Sequence, residues 1–440
     1  MTRSLRDFVP LTENVVNMYV CGPTVYNYIH IGNARSAVAF DTIRRYFEYC
    51  GYTVNYISNF TDVDDKIIKA ANEAGISTKE LSDKFIAAFM EDTAQLGIKP
   101  ATQNPRVINY MDEIIAFVST LVDKGFAYVS EGDVYFRVAK SNNYAKLANK
   151  TLEDLEIGAS GRTDAETERK ENPLDFALWK AAKEGEVSWD SPWGPGRPGW
   201  HIECSVMATE ILGDTIDIHG GGADLEFPHH TNEIAQSEAK TGKTFANYWM
   251  HNGFVNVDNE KMSKSLGNFV TVHDMLKTVD GQVLRFFLAT QQYRKPINFT
   301  EKAIHDAEVN LKYLKNTHSL PLTDQVNQDE LQTYLEAFQT AMDDDFNTAN
   351  GVTVLFDMAK WINSGNYDQT VKDAFEKMLQ VFGIVFEEEV LDEYIEKLIE
   401  ERQAARANKD FATADRIRDE LAAQGIKLLD TKDGVRWTRD

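Results

Sequence analysis

Cysteine is scarce in this chain, with three in 440 residues, too few for a disulfide framework. Long apolar runs are missing as well: nothing approaches the ~20 residues that a membrane helix requires, so no membrane association is expected. The opening residues, Met1-Thr2-Arg3-Ser4-Leu5-Arg6-Asp7, hold no apolar signal region, and a cytoplasmic location is the expectation. Positive charge is short too. Lys and Arg total 46 against 69 Asp and Glu, a net charge of −23 that repels a polyanion at long range. That deficit does not exclude nucleic acid, because phosphate affinity depends on local basic clusters that acidic surface elsewhere can outvote. Internal repeats and low-complexity tracts are also lacking.

What is present fits a soluble globular chain, with 43% hydrophobic and 26% charged residues. Its 440 residues exceed what one core organises, so a catalytic domain with appended domains is expected. Val15 to Val20 is a β-rich run ending at Cys21-Gly22-Pro23, and Gly-Pro breaks it. Ala39, Ile43, Tyr46, Phe47 and Cys50 then recur at helical spacing, with Gly51 placed for a left-handed C-cap, and Thr53 to Ile57 restarts a strand. Cys50 on this apolar face reads as a buried structural thiol. Strand, helix, strand is a βαβ unit, implying a parallel sheet with ligands at the carboxyl ends of its strands.

The expected fold is α/β: a Rossmann-like doubly wound parallel sheet interrupted by an insertion, then a helical bundle and a small mixed α/β C-terminal domain. Residues 1–110 and 201–300 read as the halves of the nucleotide-binding domain, 111–200 as the insertion, 301–386 as the bundle and 387–440 as the last domain. The insertion carries a helical stretch, a hairpin from Tyr128 to Val138 and a Trp/Pro/Gly-rich loop from Trp189 to Trp200. Parallel-sheet grammar returns with Ile216 to His219, a Gly220-Gly221-Gly222 loop, a helix from about Phe227 and a strand from Tyr248 to Val257. The acidic Glu387 to Glu389 stretch reads as a hinge.

Two stretches carry chemistry. His30-Ile31-Gly32-Asn33 sits at a strand-to-helix junction, where unpaired N–H groups and positive potential favour phosphates. Lys261-Met262-Ser263-Lys264-Ser265 offers ammonium groups that can balance charge during nucleotidyl transfer. Either alone is weak, since His caps loops and Lys-rich pentamers are usually solvated.

The pair resembles the HIGH and KMSKS signatures of class I aminoacyl-tRNA synthetases, in the expected order. Cys21 to Asn27, Asn59 to Lys66, Gly199-Trp200-His201-Ile202-Glu203-Cys204-Ser205 and Phe227-Pro228-His229-His230-Thr231-Asn232-Glu233 narrow the resemblance to the cysteinyl-tRNA synthetases, from about residue 16 to the C-terminus. The implied reaction activates L-cysteine with ATP and Mg²⁺ to cysteinyl-adenylate, then charges tRNA(Cys). His30 and Asn33 would hold ATP phosphates, and Lys264, supported by Lys261, would balance transition-state charge. Asn33 replaces the second His of the signature and keeps a donor that cannot be charged.

The resemblance also implies one Zn²⁺ held by Cys21, Cys204, His229 and Glu233. Thiolate, imidazole and carboxylate are all accepted zinc ligands, and positions i and i+4 put His229 and Glu233 on one helix face. Zinc favours cysteine thiolate over the harder serine hydroxyl, so selection would come from coordination. His201 and His230 are candidate orienting partners, or simply solvent-facing caps. Trp200 aligns with the family's substrate-pocket Trp; its alternative is an aromatic anchor for the inserted loop. Gly220 and Gly221 would let backbone approach the adenosine, although a triple Gly is as often a flexible turn.

In the tail, Tyr394, Leu398, Arg402 and Ala405 lie along one helical line. Arg402, Arg406, Lys409, Arg416 and Arg418 form the densest basic stretch. A second helix is expected from Asp410 to Gln424, then strand pieces at Lys427 to Leu429 and Val435 to Trp437. With Trp437 able to stack an unpaired base, Arg402, Arg406, Arg416, Arg418 and Trp437 are the candidate tRNA contacts. The alternative is an amphipathic helix pair with solvated Arg. Competing functions are a ligase passing cysteinyl-adenylate to a small amine, whose members lack such a tail, and a non-catalytic zinc or RNA-binding relative. A monomer is expected.

Overall fold

Val15–Val20 forms strand β1, and its alternation sends side chains to two different cores. Val16, Met18 and Val20 pack against Phe40, Ile43 and Phe47, while Tyr19 faces a second cluster built from the following domain segments. A strand buried on both faces belongs in the middle of a parallel sheet. Helix α1 (Ile31–Tyr49) supplies the first cover, ends before Gly51 at φ +92°, and leads to β2 (Thr53–Ser58), which pairs parallel with β1 from Val15↔Thr53 to Val20↔Ser58. The expected βαβ unit is present. Cys50 is not the buried thiol expected: the helix ends at Tyr49 and leaves Cys50 exposed at its C-cap.

The computed structural model describes residues 2–142, 144–151, 167–262, 267–324, 326–386, 393–431 and 434–439, in two units, Met1–Val385 and Phe386–Asp440. In the first unit, helices α2 (Asp65–Ala74), α3 (Thr78–Gln95) and α4 (Met111–Asp123) follow β2. An antiparallel sheet comes next, β3 (Ala127–Ser130), β4 (Asp133–Phe136), β5 (Phe176–Ala181) and β6 (Gly196–Pro198), its strands in sequence order. Ile114, Phe117 and Val118 of α4 and Phe136, Leu178 and Trp179 of this sheet share a core with Tyr19 of β1 and Ile57 of β2, so the interrupting segment packs on the nucleotide-binding fold rather than hanging from it.

Helix α5 (Trp200–Leu212), strand β7 (Ile216–Gly222), helix α6 (Thr231–Thr241) and strand β8 (Ala246–Asn252) resume the parallel sheet, whose order is β2-β1-β7-β8. The chain leaves β1 toward β2 on one side and β7 toward β8 on the other. The carboxyl ends of β1 and β7 therefore flank a switch point, where such sheets bind ligands. The triple glycine is not a loop. Gly220 to Gly222 pair with Met250 to Asn252 as the last residues of β7. A Cβ on Gly220 would lie 2.3 Å from the Phe40 ring, so its hydrogen side chain lets α1 pack on the sheet. The strand expected from Tyr248 to Val257 is two: β8 stays in the parallel sheet, and β9 (Val255–Val257) joins a small sheet with β10 (Glu260–Lys261) and β11 (Ile297–Phe299).

Helices α7 (Val272–Met275) and α8 (Gly281–Ala289) precede β11, and α9 (Glu301–His318), α10 (Gln328–Asp343), α11 (Thr348–Asn363) and α12 (Gln369–Val381) form the expected helical segment. In the second unit, α13 (Glu393–Ala407) and α14 (Phe411–Ala423) are followed by the hairpin of β12 (Ile426–Thr431) and β13 (Gly434–Arg439). Asp410 caps α14 by accepting from the Thr413 amide, and Gly425 turns the chain at φ +76°. No helix among the described residues is long and apolar enough to cross a membrane.

Candidate functional site

Cys21 is the first residue after β1, and its amide still donates to Gly220 of β7 at 3.1 Å. Gly22 then passes so close to Asn59 that an added Cβ would sit 1.7 Å from the Asn59 carbonyl oxygen; only glycine lets the chain turn there and leave the Cys21 thiol at the sheet's edge. Cys204 comes from α5, Glu233 from α6, and His229 from the irregular π-helical turn Glu226–His230 that precedes α6. The helix expected from Phe227 thus begins at Thr231, yet His229 still reaches Glu233.

These four side chains converge. Cys21 Sγ lies 3.7 Å from Cys204 Sγ and 3.5 Å from Glu233 Oε1, and His229 Nε2 lies 3.1 Å from the same oxygen. A zinc tetrahedron with bonds of about 2.3 Å to sulfur and 2.0–2.1 Å to nitrogen and oxygen requires S···S near 3.8 Å, S···O near 3.5 Å and N···O near 3.3 Å. The donor set fits such an ion in kind and spacing, with the ligand atoms of all four within 4.8 Å of one another.

The electrostatics favour a cation at the same place. Burial pushes the Cys21 thiol up, reinforced by the hydrogen bond and charge of Cys204, while the hydrogen bond from Cys21 favours thiolate at Cys204. Burial opposes ionisation of Glu233, but His219 and His229 outweigh it and hold the carboxyl down to about 2. Burial likewise opposes charging His229, and Glu233 and Cys204 win, raising it to about 10. A buried carboxylate and thiolate are offset only in part by one imidazolium, whose proton a metal ion would displace.

Around the ligands stand imidazoles. His201 Nδ1 is 2.9 Å from His229 Nδ1, and His230 Nε2 is 3.3 Å from Cys21 Sγ, so both expected orienting residues touch candidate ligands. Burial drives both well below the usual histidine range, keeping them neutral. Two more were not foreseen: His219 Nε2 holds Glu233 Oε2 at 2.7 Å, and His251 Nε2 meets His230 Nδ1 at 2.8 Å. An ionisable residue inside a strand of a parallel sheet, as His219 is in β7, was the available signal. Trp200 opens α5, is 40% exposed, and stacks on His229 with centroids 4.3 Å apart.

From this cluster a cavity of about 600 Å³ runs to the start of α1, lined by Cys21, Trp200, Gly222, Asp224, His30, Asn33 and Lys261 among others. Of the triple glycine, Gly222 rather than Gly220 or Gly221 lies on its wall. His30 caps α1: its Nδ1 accepts from the amides of Gly32 at 3.1 Å and Asn33 at 3.3 Å, which assigns the ring proton to Nε2. Asn33 Oδ1 accepts from the His30 amide at 3.2 Å, completing a capping box and keeping the side-chain amide as its donor. Lys261 is exposed on β10, with its ammonium 5.6 Å from the Phe254 ring. Lys264 lies outside the described residues.

In the second unit, Ile395, Leu398, Ile417, Leu421 and Ile426 form a small core, and Trp437 packs against it, half-buried. Arg402, expected on the RNA-facing surface, is 5% exposed, on the same inward line as Leu398 and Ala405. Arg406 is exposed; Arg416 reaches Glu420 at 3.4 Å and Arg418 reaches Asp415 at 3.2 Å.

The class I (C) tRNA synthetase catalytic domain family matches residues 7–309, the DALR domain residues 337–387, and the cysteinyl-tRNA ligase anticodon binding domain residues 388–437. The cysteine–tRNA ligase of Streptococcus thermophilus (strain CNRZ 1066) is 94% identical over all 440 residues, covering 98% of that protein. Those of Streptococcus agalactiae serotype V and Streptococcus pyogenes serotype M6 are 82% and 83% identical over the same spans. Among solved structures, Mycobacterium tuberculosis methionyl-tRNA synthetase in complex with methionyl-adenylate superposes with TM-score 0.62 at 14% identity, covering 84% of this chain and 89% of that one, a likeness of fold.

Proposed function

This chain belongs to the cysteinyl-tRNA synthetase family, ATP-dependent ligases of class I, and from that premise we propose how its residues divide the work. Cys21, Cys204, His229 and Glu233 hold one zinc ion. When bound, it supplies a Lewis acid that keeps the substrate's sulfur as thiolate, which serine's hydroxyl cannot imitate. The observation that carries the reading is the convergence of two sulfurs, an imidazole and a carboxylate at tetrahedral spacings beside the open cavity.

Trp200 closes over the small side chain of cysteine while leaning on His229, so the ring that shapes the pocket also steadies a ligand. At the far end, Nε2–H of His30 and the Asn33 side-chain amide donate to ATP phosphate oxygens at the amino end of α1, whose dipole favours that charge. The cysteine carboxylate attacks the α-phosphorus; the bond to pyrophosphate breaks, and pyrophosphate leaves. Lys261 and Lys264 balance the charge that grows in this transition state. A hydroxyl of the terminal ribose of tRNA(Cys), held in part by the C-terminal unit, then attacks the cysteinyl carbonyl; the bond to AMP breaks, and AMP leaves. Cysteine-dependent ATP–pyrophosphate exchange, scanned over the amino acids alongside metal analysis, tests the reading. Exchange with cysteine alone and one zinc per chain are expected; comparable exchange with serine, or activity in metal-free protein, would overturn it.

A further inference from the structure

The segment that carries His30 is zipped to a segment far along the chain. The Val272 amide donates to Ile29 O at 2.9 Å, and the Ile31 amide donates to Val270 O at 3.1 Å. Phe269 meets the His30 ring edge-on at 5.3 Å. One residue further out, His273 lies nearly flat on Tyr28, with centroids 4.2 Å apart and planes 20° apart. The His273 ring reaches a third element as well: its Nδ1 is 3.2 Å from Oδ1 of Asp92, a buried carboxylate on α3, the helix whose Phe89, Met90, Thr93 and Ala94 line the cavity. Phe85 of α3 packs edge-on against Tyr28, at 5.2 Å.

We infer that His273 is a positioning residue for the ATP end of the cavity, because its stack on Tyr28 and its bond to Asp92 fix the segment that aims His30. Backbone hydrogen bonds set how far the two segments lie apart, and Tyr28 itself rests on α3 through Phe85. The His273 ring adds a second hold, tying the α7 turn, the Tyr28 to His30 segment and α3 at one point. The cysteine end of the cavity does not depend on this knot, since Cys21, Cys204, His229 and Glu233 are placed by β1, β7, α5 and α6. His273 should therefore separate the two substrates kinetically.

The inference rests on the adenylation reading, and wild-type cysteine-dependent pyrophosphate exchange is the control that tests that reading by itself. With wild type active, His273→Ala, His273→Phe and Asp92→Asn are compared in the full-length zinc-loaded protein. His273→Ala should raise the KM for ATP by about tenfold or more, lower kcat, and leave the KM for cysteine and the zinc content at wild-type values. His273→Phe keeps the stack and should recover part of the loss, while Asp92→Asn keeps an acceptor and should stay close to wild type. An unchanged KM for ATP in His273→Ala, or KM values for ATP and cysteine rising together, would overturn the inference. So would a drop confined to the fraction of active protein, which is what a purely structural role produces.

Discussion

The guanidinium of Arg285 on α8 donates to the carboxylate of Asp41 on α1 at 2.5 Å, with both side chains buried. The same guanidinium donates to the Phe382 and Leu96 carbonyls, and Asp41 also accepts from Arg45 at 2.7 Å and from the Lys99 amide at 3.0 Å. In return Arg35 of α1 donates to the Leu288, Gln291 and Gln292 carbonyls at the end of α8. The helix that His30 caps is thus locked to α8 from both directions.

Breaking that lock should be costly and pH-dependent. Burial alone would raise the Asp41 carboxyl, but Arg285 and Arg45 outweigh it and lower it below the usual carboxylate range. A group depressed in the folded state contributes stability above its unfolded value and loses it as pH falls through the folded one. Asp41→Asn should therefore lose about 3–5 kcal/mol near neutral pH by leaving Arg285 unpaired. The gap from wild type, read by urea denaturation, should hold down to about pH 5 and narrow in acid. A gap independent of pH would remove the charge from the explanation.

His219 is expected to tune the metal site without being a ligand in the proposed set. It holds Glu233 Oε2, the oxygen turned away from Cys21 and His229, at 2.7 Å inside the protein. His219→Phe preserves the stack on Trp249 and removes the bond. Zinc affinity should fall about 10–100-fold, measured by competition with a chelator, while helical content stays at wild type. Equal chelator resistance in both proteins would mean the bond serves only the core.

Gly220 offers a test of packing against nucleotide contact. Gly220→Ala places a methyl group inside the Phe40 ring contact, and overpacking of this kind destabilises by about 1–3 kcal/mol. Adding Phe40→Leu should restore part of the lost melting temperature and, with it, ATP affinity. If stability is unaffected but the KM for ATP rises, the glycine faces the nucleotide after all.

The difference between Gly220 and Gly51 explains how far the sequence could be read. Gly51 announces itself because a helical period stops just before it, and a positive φ follows from that local pattern. The triple glycine looks like a turn locally, yet parallel pairing with Met250 to Asn252 holds it in a strand, and pairing between distant segments has no local signature. The same holds for function. Cys21 was legible because strand ends are where such sheets bind ligands, whereas His229 and Glu233 were implied by the resemblance, and the one helix expected to carry both is an irregular turn followed by α6. His219 and His273 matter through partners on other elements, Glu233 and Asp92, which no spacing rule brings together. Arg402 shows the converse: on the line of Tyr394, Leu398, Arg402 and Ala405 the last three turn inward and Tyr394 stays exposed, so helical position rather than charge decides that the Arg402 side chain is buried.

That burial sharpens the expectation for the C-terminal unit. Residues 386–440 cluster as a unit of their own with a small core, and every residue proposed for adenylation precedes it in the chain. Deleting residues 387–440 should leave cysteine-dependent pyrophosphate exchange nearly intact and severely impair tRNA charging. Within the unit, the arginines should split. Arg402→Ala removes a buried side chain from the α13 face and should lower the unit's thermal stability. Among the described residues, the carboxylate partners of the exposed Arg416 and Arg418 lie on α14 itself, pairs worth little in water, so their charges can be lent to phosphates. Reversing both, Arg416→Glu with Arg418→Glu, should spare stability and exchange. It should weaken tRNA binding and flatten its dependence on salt by about one logarithmic unit of slope per lost phosphate contact. Unchanged charging and an unchanged salt slope in that double variant would move RNA contact to another face of the unit, with Arg406 as the next exposed arginine to reverse.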